Sequence, residues 1–74
     1  MLSRNLEETI TKSLDTYITA LLLHHYTNEE EKYELHYLFL NTLGVLKKYG
    51  SHYTKKYADW YNYYSREGPP GGVR

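Results

Sequence analysis

The sequence predicts an all-α fold, a helical hairpin followed by a third, aromatic-rich helix, which together form a small three-helix bundle. Three segments repeat apolar residues with the 3.6-residue period of an α-helix. Helix-starting and helix-ending residues separate these segments, and no segment alternates apolar and polar residues as a half-buried strand does. Because the connections are short, we expect consecutive helices to be antiparallel neighbours.

The first helix is expected to begin at Asn5, whose side chain can cap it, with Glu8 three residues later as in a capping box. Leu23 points away from the apolar side of this helix, which makes it a candidate contact for a partner. The apolar side itself spans about 160° of arc and consists of Leu6, Ile10, Leu14, Tyr17, Ile18, Leu21, Leu22 and His25.

The start of the second helix carries two overlapping capping signals. Either Thr27 with Glu30 or Asn28 with Glu31 can form a capping box, and acidic residues suit the positive end of a helix dipole. We expect the helix to end at Gly50, since glycine is the usual left-handed terminator.

The second helix, expected over residues 29–49, is apolar around most of its circumference. That pattern predicts the central helix of the bundle. Gly44 in its interior costs about 1 kcal/mol relative to alanine. We interpret this glycine as room for the ring of Tyr57 or Trp60 from the next helix.

Ser51 can cap a third helix that ends before Gly68. Its aromatic residues recur at helical spacing and share one face: Tyr53, Tyr57, Trp60 and Tyr64, with Tyr61 beside them. We therefore predict a single helical domain over residues 1–67. Residues 68–74 are rich in proline and glycine, so we expect a disordered tail.

The composition limits the chain to one small domain. It has 74 residues, a formal net charge of zero, no cysteine and ten tyrosines. This length is near the lower limit for a self-sufficient hydrophobic core. Some tyrosine rings must then stay exposed, and we expect self-association or a protein partner to complete the bundle.

Several classes of site are excluded by the residues themselves. The lack of cysteine excludes disulfides and thiolate zinc sites, and the histidines lack metal-binding spacing. No phosphate-binding loop or nucleophile motif occurs, so we expect no enzymatic activity, cofactor, metal or small-molecule substrate. The longest apolar runs have four residues, too few for a membrane span or a signal peptide. We expect a cytoplasmic, intracellular protein of cellular or viral origin.

The leading functional hypothesis is a non-enzymatic binding module, an accessory subunit or adaptor of a larger protein or nucleoprotein assembly. The third helix combines an aromatic face with flanking basic residues, and we expect this surface to contact the partner. The predicted partner-binding residues are Leu23, Tyr53, Tyr57, Trp60, Tyr61, Tyr63 and Tyr64.

The alternative hypothesis is direct binding of single- or double-stranded nucleic acid. Residues 1–46 carry a net charge of −4 and residues 47–74 a net charge of +4. The basic segment 47–57 interleaves lysine with tyrosine, so its cations can meet phosphates while Tyr53 and Tyr57 stack on bases. The bland alternative is a solvated lysine-rich turn. The predicted anion-binding residues are Lys47, Lys48, Ser51, His52, Lys55, Lys56 and Arg66.

Overall fold

A computed structural model describes the backbone of residues 2–67 and the side chains of residues 2–65. This part of the chain consists of three helices, α1 (Arg4–Leu22), α2 (Glu29–Lys48) and α3 (Tyr53–Glu67), with no strand among the described residues. The predicted all-α three-helix bundle is confirmed. The predicted disordered tail, residues 68–74, lies outside the described residues.

Two helix starts depend on side-chain caps. Helix α1 begins earlier than expected, because the Ser3 hydroxyl rather than Asn5 accepts the backbone N–H of Leu6 at 3.1 Å. In α2 the side-chain Oδ1 of Asn28 accepts the N–H of Glu31 at 2.8 Å. The Glu31 carboxylate in turn accepts the N–H of Thr27 at 2.8 Å. Hydrogen bonding from Thr27, chiefly from its backbone N–H, holds the pKa of the Glu31 carboxyl below its ordinary value.

Both connections begin with the same helix-ending motif. After α2, Gly50 has a φ of 70°, its N–H donates to Lys47, and the next N–H donates to Leu46. After α1, His24 takes the corresponding left-handed position with a φ of 58°. The N–H groups of His24 and its successor donate to the carbonyls of Leu21 and Ala20. This is the Schellman pattern in both cases.

The core is built from one face of each helix. Helix α1 supplies three aliphatic residues and α2 supplies one aromatic and one leucine, whereas α3 contributes only tyrosine. Burial of these side chains is the main force that holds the helices together. The buried residues are Leu14, Ile18, Leu21, Phe39, Leu46, Tyr57 and Tyr64.

The outer face of α2, defined here by Tyr33, Tyr37, Leu40 and Gly44, corrects two expectations. Tyr33 and Tyr37 expose 66% and 68% of their surface. Helix α2 is therefore not the enclosed central helix that its apolar circumference predicts. A Cβ added to Gly44 would meet no atom within 4 Å. Gly44 therefore makes no room for Tyr57 or for any other ring of this chain, because it faces solvent.

Candidate interaction surface

An apolar groove lies between α1 and α3. Ile18, Thr19 and Leu22 of α1 form one wall, and Trp60 and Tyr63 of α3 form the other. The groove encloses about 330 Å³. Leu22, Trp60 and Tyr63 are exposed, although they are large apolar residues that folding ordinarily buries. We call this feature the α1–α3 groove.

The position of Trp60 follows from the spacing of α3. Residues three apart lie about 60° apart around a helix, so Trp60 flanks the buried ring of Tyr57 instead of joining it in the core. The two rings meet edge to face, with centroids 5.3 Å apart. The Lys56 ammonium lies 4.9 Å from the centroid of the Trp60 ring and 5.3 Å from that of Tyr57. One positive charge thus stands beside the apolar groove, held over the ring of Trp60, which lines the groove, and the neighbouring ring of Tyr57.

Tyr57 anchors the α3 wall of the groove to α1. Its ring is buried, and its hydroxyl donates to the Asp15 carboxylate at 2.7 Å and approaches the Thr11 carbonyl at 3.3 Å. Burial raises the pKa of the Tyr57 hydroxyl far above its ordinary value, and the hydrogen bond to Asp15 adds to this effect. Tyr57 therefore stays protonated and keeps donating its hydrogen bond to Asp15 of α1 over the whole physiological pH range.

The remaining inner-face aromatics of α3 contact α2. Tyr61 stacks on Phe39 with centroids 5.2 Å apart, and its hydroxyl lies 2.7 Å from Nδ1 of His36. Burial, and to a smaller extent the charge of Lys32, lowers the pKa of His36. Tyr64 is buried beside His36, and its hydroxyl has no hydrogen-bond partner among the described residues. Burial raises the pKa of both Tyr61 and Tyr64.

These positions divide the predicted partner-binding residues. Tyr57 and Tyr64 are in the core and Tyr61 is half-buried, so their rings are largely withdrawn from the surface, and we leave them out of the contact surface proposed below. The helical period places the aromatic residues of α3 on one side, but that side faces the other two helices.

Two further predicted contacts are exposed but do not line the groove. Tyr53 packs its ring against His52, with centroids 4.3 Å apart. Leu23 is the C-cap residue of α1. Leu22 lines the groove instead, although the sequence pattern assigns it to the apolar stripe of α1. The signal that could have found it is its place at the edge of that stripe, where a side chain is only partly covered.

The predicted anion site at the start of α3 already contains an acidic side chain. The Ser51 hydroxyl accepts the N–H of Tyr53 at 3.1 Å and donates to the Glu7 carboxylate. Glu7 and Ser51 line a cleft of about 250 Å³ together with Gly50 and His52. The Glu7 carboxylate thus lies where the sequence pattern predicts a bound anion, and it suits the positive end of the α3 dipole.

The predicted basic residues have different environments. Lys55 is highly exposed and pairs with Asp59 at 2.8 Å, which raises the pKa of Lys55. Lys56 covers two aromatic rings, as described above. Lys47 and Lys48 are exposed in the last turn of α2. The side chain of Arg66 lies outside the described part of the structure.

Comparison with known proteins gives no relative for this chain. No family model matches it, and no curated protein and no solved structure is significantly similar to it. None of the three described helices is both long enough and apolar enough to cross a lipid bilayer. Within the described residues, no group of three or more His, Asp or Glu side chains is arranged to hold a metal ion.

Proposed function

We propose that the chain is a non-enzymatic helical binding module, an accessory subunit or adaptor, which docks onto a larger protein or nucleoprotein assembly through the α1–α3 groove. The observation that carries this proposal is the exposure of Leu22, Trp60 and Tyr63 around a single apolar groove. Tryptophan and tyrosine in a concave apolar site are typical of residues that dominate binding energy at interfaces.

The groove suits a partner segment that inserts one or two apolar side chains. Its walls are two helices, so an amphipathic helix or a short apolar loop can lay one or two side chains between them. Lys56 stands at the α3 edge, over Trp60. A partner segment with an apolar anchor and an acidic neighbour would match both features, because the acidic group would meet Lys56 as the anchor enters the groove.

Site-specific photo-crosslinking tests this proposal. A benzoylphenylalanine at position 63 is expected to crosslink reproducibly to one protein of the source cell, and Leu22→Glu is expected to abolish that crosslink. The matched control carries the same probe at position 33, where Tyr33 is exposed to a similar degree on the outer face of α2. Equal yields of the same product from positions 63 and 33, or no product from position 63, would contradict the proposal.

Direct nucleic-acid binding is the second candidate, and the exposure of Lys47, Lys48, Lys55 and Lys56 favours it. Less favourable is the Glu7 carboxylate at the start of α3, because a phosphate would have to replace it.

Fluorescence anisotropy with labelled single- and double-stranded oligonucleotides tests this second candidate. Binding through the four lysines should weaken with salt by about 0.7–0.9 log units per phosphate contact for each log unit of salt. The double variant Lys55→Glu with Lys56→Glu should then reduce the affinity. Absence of binding at low salt, or binding unaffected by that double variant, removes the candidate.

A further inference from the structure

A series of exposed residues on α2 has the strict spacing of a coiled-coil seam. The residues lie three and four positions apart in alternation, which is the period of the inward positions of a heptad. The three central members, Tyr33, Tyr37 and Leu40, are large and apolar. Residues of this kind at seam positions ordinarily face another helix, but in this chain neither α1 nor α3 covers them. The residues of the series are Glu30, Tyr33, Tyr37, Leu40, Gly44 and Lys47, and all six are exposed.

The series is complementary to itself when it is reversed. If two copies cross antiparallel with the symmetry axis midway between Tyr37 and Leu40, Tyr37 of each copy faces Leu40 of the other. Tyr33 then faces Gly44, where a Cβ would meet nothing within 4 Å and the surface is open to receive a ring. A large residue thus meets the smallest one in each of the two Tyr33–Gly44 layers, and large residues facing small ones allow the side chains of two helices to interdigitate.

The charges at the two ends select the antiparallel orientation. Glu30 lies in the acidic first turn of α2 and Lys47 in its basic last turn. In the antiparallel arrangement Glu30 of each copy faces Lys47 of the other, and Glu29 and Lys48 extend the opposite charges at the same ends. A parallel pair would instead place acidic turn against acidic turn and basic turn against basic turn, which is unfavourable.

We propose that the outer face of α2 is a self-association surface, on which a second copy of this chain docks antiparallel. The pairs are Tyr37 with Leu40, Tyr33 with Gly44 and Glu30 with Lys47, each formed twice across the two-fold axis. This surface is separate from the α1–α3 groove, so the dimer leaves both grooves open and presents two of them. The proposal does not depend on the function proposed for the groove.

Sedimentation equilibrium of matched variants tests the surface. Leu40 and Leu22 are exposed to almost the same degree, 47% and 46%, and lie on the two different surfaces. Leu40→Glu is expected to weaken self-association more than about tenfold, a loss of about 1.4 kcal/mol, whereas Leu22→Glu should leave it unchanged. Far-UV circular dichroism of both variants checks that each still folds. A parent chain that stays monomeric at its highest soluble concentration, or dissociation by Leu22→Glu but not by Leu40→Glu, would overturn the proposal.

Disulfide trapping tests the orientation, since the chain has no cysteine of its own. Glu30→Cys and Lys47→Cys are made as separate variants, mixed and oxidised. The antiparallel pair predicts a disulfide in the mixture and little in either variant alone, because identical positions are about 25 Å apart along the seam. Disulfides in each variant alone would show a parallel pair and would refute the proposed docking.

Discussion

Tyrosine has opposite roles on the inner face of α3 and on the outer face of α2. On α3, Tyr57 and Tyr64 are buried in the core and Tyr61 stacks on α2. On α2, Tyr33 and Tyr37 are mostly exposed, with nothing from the other helices over them. The large number of tyrosines in the chain therefore has two physical origins. One set completes a core that is short of aliphatic residues, and the other is available for contact with a second molecule.

The largest contrast should come from removing one ring on each face. Tyr57→Ala is expected to cost about 3–5 kcal/mol of unfolding free energy, because it leaves a cavity and unties α3 from α1. Tyr37→Ala should change the unfolding free energy of the monomer by less than about 0.5 kcal/mol. Urea denaturation followed by circular dichroism at low protein concentration measures both. Similar losses for the two variants would show that the two faces are not different in the way described.

A smaller effect separates two buried tyrosines on the same face. Tyr57→Phe removes the hydrogen bond to Asp15 and should cost about 1 kcal/mol. Tyr64→Phe removes a buried hydroxyl that has no partner among the described residues. It should leave the stability unchanged or raise it by about 1 kcal/mol. Thermal melts of the two variants beside the parent check this difference, and a clear loss of stability in Tyr64→Phe would mean that its hydroxyl is bonded.

The outer face of α2 should tolerate a more rigid backbone. Gly44→Ala is expected to stabilise the monomer by about 0.5–1 kcal/mol, because alanine has the higher helix propensity and its methyl group meets open space. Gly50→Ala serves as the control, since alanine is strained at a φ of 70° and should destabilise the fold. The prediction fails if Gly44→Ala lowers the urea midpoint at low protein concentration.

The smallest effect concerns His36 of α2, which lies beside Tyr61 and Tyr64 of α3. Burial lowers its pKa below the ordinary value of 6.5, so the unfolded chain takes up a proton before the folded chain does. This histidine therefore contributes stability that is present above pH 6.5 and declines below it. Urea titrations from pH 7.5 to pH 5 of the parent and of His36→Phe measure the contribution. Parallel pH profiles for the two proteins would argue against it.

The sequence predicts the three helices better than the environment of each helix face. The predicted facing of Tyr57 and Gly44 is wrong, because Gly44 meets no side chain while the Tyr57 ring is buried and hydrogen-bonded to Asp15 of α1. The prediction that Asn5 caps α1 is wrong: Ser3 and Asn5 are both good capping residues, and only the geometry of the turn selects Ser3.

Periodicity shows which residues share a face, but not what covers that face. The prediction that Gly44 makes room for a ring is wrong for this reason, since a glycine that faces solvent and one that receives a ring look alike in a sequence. The aromatic stripe of α3 has the same ambiguity. Its central members Tyr57 and Tyr64 are core, whereas Trp60 at its edge is exposed and lines the groove. The groove itself needs Leu22 from α1, a helix distant in the sequence, which no local pattern of α3 contains.

The position of Trp60 at the α1–α3 groove has a practical consequence for measurements on this protein. Trp60 is the single tryptophan of the chain, and it stands at the α1–α3 groove beside the Lys56 ammonium. The indole is therefore an intrinsic fluorophore whose emission reports the wetting of that groove. An apolar group entering there should shift the emission to shorter wavelength, whereas pairing of two copies along α2 should leave the emission unchanged. The emission wavelength of Trp60 thus distinguishes occupation of the α1–α3 groove from self-association along α2.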